Sequence, residues 1–171
     1  MTSHHVGKAG QLAAMSELAL RGYNVAIPEI DIGDDILVLN HDSGQLSRIQ
    51  VKTANGQELD EDDGYRCLFR LKISHVHDAT KQGSHYVFAG RCGRVWRFLI
   101  MERGVVSEYL KQGWGTASKE DHRLIWIEFY RRELPVKNKK PLRRLSARTS
   151  IDGETKNLTH LVNAWKAWPT L

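Results

Sequence analysis

The stretch from position 35 to 53 constrains this chain more than any other. Two apolar runs, 35–39 and 46–53, flank Asn40-His41-Asp42-Ser43-Gly44, a cluster of residues that favour chain reversal. That pattern predicts a β-hairpin, and a hairpin has a register. With the turn centred between Asp42 and Ser43, regular antiparallel pairing sets Asp35 opposite Gln50. Side chains alternate along a strand, so Lys52 shares the face of Gln50 while Ile49 and Val51 take the other. An acid, an amide and an ammonium therefore converge.

Each of these groups has a use in phosphoryl chemistry. A carboxylate and an amide oxygen are hard ligands suited to Mg²⁺, which keeps several waters and relies on few protein donors plus a substrate phosphate. A neighbouring lysine can orient a water or stabilise charge building on the phosphoryl oxygens. Asp31, Asp34 and Asp35 lie close together, and Asp31-x-Gly33-x-Asp35 is an alternative set. Register favours Asp35, with Asp34 expected on the other side.

Around the hairpin, Leu12, Met15, Leu18 and Ala19 recur at helical spacing and stop at Arg21-Gly22, which predicts an amphipathic helix over 8–22. Strands are expected at 23–30, 66–73, 85–89, 95–101 and 123–130, with a turn at 90–93. Helices are expected at 102–113 and 158–168. No repeat or linker interrupts the chain, so one domain over 1–171, of α/β or α+β class, is the expectation.

The Gly7-Lys8-x-Gly10 opening, Gly22-Tyr23-x-Val25, Pro28, Asp35 before an apolar run and Gln50-Val51-Lys52-Thr53 together resemble PD-(D/E)XK nucleases. They are most similar to the small homing-endonuclease and Holliday-junction-resolvase-like members. The likeness covers 7–54. It implies a restriction-endonuclease-like αβββαβ core with a central mixed sheet flanked by helices. It also implies a Mg²⁺- or Mn²⁺-dependent endonuclease acting on DNA, with Glu17, Asp35, Gln50 and Lys52 catalytic and the first three holding metal. Most members carry Asp or Glu where this chain has Gln50, and a neutral amide weakens metal binding. Glu17 would supply the missing charge.

Charge distribution points the same way. Between Arg131 and Arg148 the chain has net charge +7, against +5 for the whole sequence, which leaves the remainder at −2. Such a concentration suits a phosphate backbone. Lys137, Lys139, Lys140, Arg143, Arg144 and Arg148, with Lys8, are the expected DNA contacts, and the stretch from Lys137 to Arg148 reads as a mobile arm. An RNA substrate is a third, weaker expectation. Cleavage of both strands of a duplex implies a homodimer or higher oligomer.

Cys67 and Cys92 read as buried free thiols, which with the absence of a leader or spanning segment gives a cytoplasmic expectation and no membrane partner. The acidic run from Glu58 to Asp63 reads as a solvated loop, and His75-Val76-His77 as a strand end without zinc. Trp114, Trp126, Trp165 and Trp168 read as packing residues rather than base-stacking platforms. The alternative function is a catalytically inactive nuclease-fold module that binds DNA or assembles without turnover.

Overall fold

The computed structural model describes residues 3–30, 33–60, 64–78, 80, 83–119, 121–134 and 142–165. Helix α1 (Ser3–Ala19) begins earlier than its periodicity indicates, and β1 (Asn24–Ala26), β2 (Ile36–Leu39) and β3 (Leu46–Leu59) follow it. Next come β4 (Gly64–Lys72), the short α2 (Ile73–Val76), β5 (His85–Cys92), β6 (Val95–Glu102) and α3 (Arg103–Lys111). The chain continues with β7 (Thr116–Lys119), β8 (His122–Leu134), β9 (Leu142–Ile151) and β10 (Glu154–Asn157).

β3 is the hub. Its first half pairs antiparallel with β2 and parallel with β5, and its last residues pair antiparallel with β4. β4 then leads through β8 and β9 to β10. The β1–β2–β3–β5–β6 part is the expected mixed sheet, and α/β with a helix on the sheet is the observed class. α1 buries Val6, Ala14 and Leu18, a helical stripe, and Ala14 and Leu18 pack on one face against Ile36, Val38, Ile49 and Val51. Gly10 makes this contact possible: a β-carbon there would collide with Thr53 Cγ2 and press on the Trp96 ring.

The opposite face is covered differently from the expected helical flank. Tyr86, Phe88, Leu99 and Met101 pack against Cys67, Phe69, Leu71, Ile125, Ile127 and Phe129 of the β4–β8 sheet, with α3 closing the core through Val106 and Leu110. Cys67 and Cys92 are buried and free, as anticipated.

Four local expectations are corrected. His75 lies in α2 and not at a strand end, because the Asp121 carboxylate accepts the Ser74 N–H and hydroxyl and turns the backbone there. Glu58 is an exposed residue of β3 rather than of a loop, while 61–63 lie outside the described residues. The helix over 158–168 is reduced to a 3-10 turn, Thr159–Leu161. Val162, in extended conformation, ends that turn, and the N–H of Asn163, at φ 48°, bonds to the Phe98 carbonyl at 2.8 Å, tying the segment to β6; Trp168 lies outside the described residues. The expected arm is no arm where it is described: Leu142–Arg148 is a strand segment of β9 paired with β8, and Lys137, Lys139 and Lys140 lie outside the described residues.

Candidate active site

The hairpin register is the expected one. Ile36 pairs with Ile49, as the expected register requires, and the ladder ends there: the Asp35 N–H bonds to the Ile49 carbonyl at 2.8 Å, one residue off that register, and Asp35 meets Gln50 through its side chain. Asp35 Oδ2 accepts the Gln50 side-chain amide and the Val51 N–H, both at 2.7 Å. Gln50 is buried, and its Oε1 has no hydrogen-bond partner among the described residues. Lys52, two residues along, is half-buried on the same face, beside Phe88 of β5 as Gln50 is beside Tyr86.

Asp34 departs from the expectation that it would face away. Its carboxylate is wholly buried and lies 3.9 Å from both Arg103 and Arg48, on the side of β3 that carries Gln50. Residues 33–35 precede β2, so strict alternation does not apply to them. Arg103 is itself buried, donates to Ser84 Oγ and the His75 carbonyl, and stands 5.2 Å over the Tyr86 ring. Burial pushes the Tyr86 phenol up to about 12; Arg103 opposes this, and Asp34 and Asp35 add to it. Tyr86 is therefore a neutral donor near physiological pH.

On the α1 side a cleft of about 370 Å³ opens onto Asp35, lined by His4, Gly7, Lys8, Gln11, Val51 and Thr53. Gln11 spans it. Its Nε2 donates to the Asp35 carbonyl at 2.5 Å, and its Oε1 accepts from Lys8 Nζ at 3.0 Å. Glu17 is not part of this lining. It pairs with Arg21 at 2.7 Å, about 9 Å farther along the helix axis than Gln11.

The structure thus joins Asp35 to Gln50 and Gln11, with Lys8 at the cleft, sets Lys52 on the Gln50 face of β3 outside the cleft lining, and leaves Glu17 apart. Sequence reading missed Gln11. The available signal was Gly10: a helical glycine marks a close approach to the sheet, and the adjacent polar residue stands at the rim of that contact. Among the described residues, no group of three His, Cys, Asp or Glu is placed to hold a metal. Of the expected DNA contacts outside the cleft, Arg148 is half-exposed on β9 and Arg143 and Arg144 are β9 strand positions.

No protein-family model matches the chain, and no curated protein matches it. Among solved structures, the chain is similar to a bacterial homing endonuclease, I-Ssp6803I. The likeness has a TM-score of 0.51 at 14% identity and covers 97% of this chain and 90% of that one. The similarity is one of fold, extending over nearly the whole chain rather than over the hairpin alone. No helix among the described residues is long and apolar enough to cross a membrane.

Proposed function

We propose that this chain is a divalent-cation-dependent DNA endonuclease of PD-(D/E)XK type, in which Gln50-Val51-Lys52 stands for the acid-x-Lys triplet. The observation that carries the reading is the Asp35 carboxylate fixed by two N–H donors, the Gln50 side chain and the Val51 backbone, with Lys52 next in the row of Gln50. The endonuclease fold of the similar structure supports it.

The donors present fit Mg²⁺ or Mn²⁺. Asp35 offers a carboxylate, and the orphaned Gln50 Oε1 is a hard oxygen in search of a partner. When bound, the cation would supply Lewis-acid stabilisation and a more acidic water. Gln50 and Val51 hold the carboxylate in one orientation, and Gln11 fixes the backbone that carries it. Lys52 stabilises the charge that develops on the phosphoryl oxygens, and Lys8 at the cleft attracts a phosphate. Glu17, committed to Arg21, has no part in the reaction.

Purified protein should nick or cut duplex DNA in Mg²⁺ or Mn²⁺. Lys52→Ala should lower the rate by at least about 100-fold while circular dichroism and DNA affinity persist. A folded Lys52→Ala protein that cuts at the wild-type rate refutes the reading. Cutting both strands needs two such sites, so a homodimer or larger symmetric assembly in sizing chromatography is expected.

A second reading has its own observation: Gln11 and Gln50 are both amides, which leaves Asp35 as the carboxylate in direct contact with them. An inactive DNA-binding module would bind DNA equally well in chelator and turn nothing over. Calorimetric Mn²⁺ titration separates the two, because the enzyme requires a binding heat that Asp35→Asn abolishes.

A further inference from the structure

The β4–β8–β9 sheet has an inner face that packs into the core and an outer face that nothing in the chemistry above uses. Along β8 the inner row is Ile125, Ile127 and Phe129, all buried. The outer row includes Trp126, 43% exposed, and Glu128. The ladder sets Arg66 of β4 opposite Glu128, and Arg148 of β9 opposite it from the other side. Arg70 and Lys72 continue the β4 row, both exposed.

Glu128 forks the two arginines. Arg66 Nη2 and Arg148 Nε each lie 2.6 Å from its carboxylate, yet their side chains remain 48% and 40% exposed. One acid thus orients two guanidiniums without neutralising both, and each retains donors for an anion. Beside them lies a recess of about 380 Å³ with Trp126, Ser150 and Thr155 in its wall. Arg66 stands 5.9 Å from the Trp126 ring and Arg148 4.6 Å from that of Tyr130, so both are braced against aromatic rings. Four residues of strand put Arg70 about 14 Å from Arg66.

We propose that this outer face is a DNA-contact surface separate from the cleft at Asp35. Arg66, Arg70, Lys72 and Arg148 bind backbone phosphates, and Trp126 packs on a sugar or an unstacked base. Charge complementarity selects DNA over a second copy of the chain. An interface between copies is depleted of charge at its centre, whereas here the exposed tryptophan shares its recess with Arg66, Arg148 and Glu128. The identity of the ligand rests on the nuclease reading; the surface does not depend on cleavage.

The test measures anisotropy of a fluorescein-labelled duplex with the full chain in EDTA, across a salt series. Arg70→Gln with Lys72→Gln alters two exposed side chains without touching the Glu128 fork. It should raise Kd about tenfold and flatten the dependence of log Kd on log salt by about two units. Trp126→Ala should weaken binding further, and Trp126→Tyr should restore it. Wild-type Kd and slope in the double variant overturn the proposal, as does a wild-type protein that binds no duplex. So does a double variant that changes only the oligomeric state in sizing chromatography. If the wild type binds with the expected slope but never cuts, the nuclease reading fails and the surface stands. If it cuts, and the double variant binds normally, the reverse holds.

Discussion

Two arginine–carboxylate clusters differ in where water is. At the hairpin, Asp34 is wholly buried and the Arg103 side chain only 6% exposed. On the outer sheet face, Glu128 holds Arg66 and Arg148 with large parts of both arginines in solvent. A buried pair gains little net stability over apolar packing, yet it is costly to break, because the surviving partner has no water. Such a pair pins geometry. An exposed fork is cheap to form and cheap to break, and its spare donors stay open to a ligand. The first suits a backbone that must carry Asp35 in one position, and the second suits a surface that meets a mobile polyanion.

The sharpest way to break that contrast is to remove one arginine from each cluster. Arg103→Met should cost about 3–5 kcal/mol in urea unfolding, since it takes from Asp34 its buried cation, leaving the half-exposed Arg48, and also removes donors to Ser84 and the His75 carbonyl. Asp34→Leu combined with Arg103→Met should recover a large part of that loss, a coupling that a double-mutant cycle reads directly. A single Arg103→Met variant as stable as wild type would mean that the pair pins nothing.

Between these regions stands the contact that seats α1. Gly10→Ala should cost about 1–3 kcal/mol, the usual penalty of overpacking, because the new β-carbon meets Thr53 Cγ2 and the Trp96 ring. Cleavage should fall with it, since Gln11 can no longer reach the Asp35 carbonyl. Gly7→Ala is the control: its β-carbon would meet Thr53 Oγ1 at 3.7 Å, an ordinary contact, so only the intrinsic helix gain of alanine is expected.

The sequence discloses these regions unequally. The hairpin register, Ile36 opposite Ile49, is legible because a hairpin is local: its turn chemistry and alternation settle which side chains oppose each other. The place of Glu17 outside the cleft lining is not legible, because the rotation of a helix over a sheet is set by distant contacts. Gly10 against Thr53 turns the Lys8–Gln11 side to the cleft and leaves Glu17 to Arg21. Along β8, alternation separates Trp126 from Ile125 and Ile127, but both rows contain large apolar residues. Only the packing of the β4–β8 sheet on Phe88 and Leu99 decides that Trp126 is the outer one, contrary to the packing role expected of it. The C-terminal turn escaped notice for a similar reason, since apolar spacing at 158–165 serves a strap along β6 as well as a helix.

The smallest effect tests the exposed fork itself. Burial alone would raise the Glu128 carboxyl, but hydrogen bonds from Tyr130, Arg148 and Arg66 outweigh it and hold the group below the ordinary glutamate value. A depressed carboxylate contributes stability above its unfolded pKa, and that contribution is lost as pH falls through the lower folded value. The loss is therefore confined to acid solution below about pH 4.3. Glu128→Gln should cost under about 1 kcal/mol at neutral pH and flatten this acid-side dependence in thermal unfolding. The same change leaves Arg66 and Arg148 uncompensated, so affinity for duplex DNA should rise at low salt even as stability slips. At the buried cluster the corresponding change, Asp34→Asn, admits no such trade, because the Arg103 charge it exposes has neither solvent nor phosphate to meet. Opposite signs on binding and stability at Glu128, against loss of both stability and cleavage at Asp34, are what the difference in exposure requires.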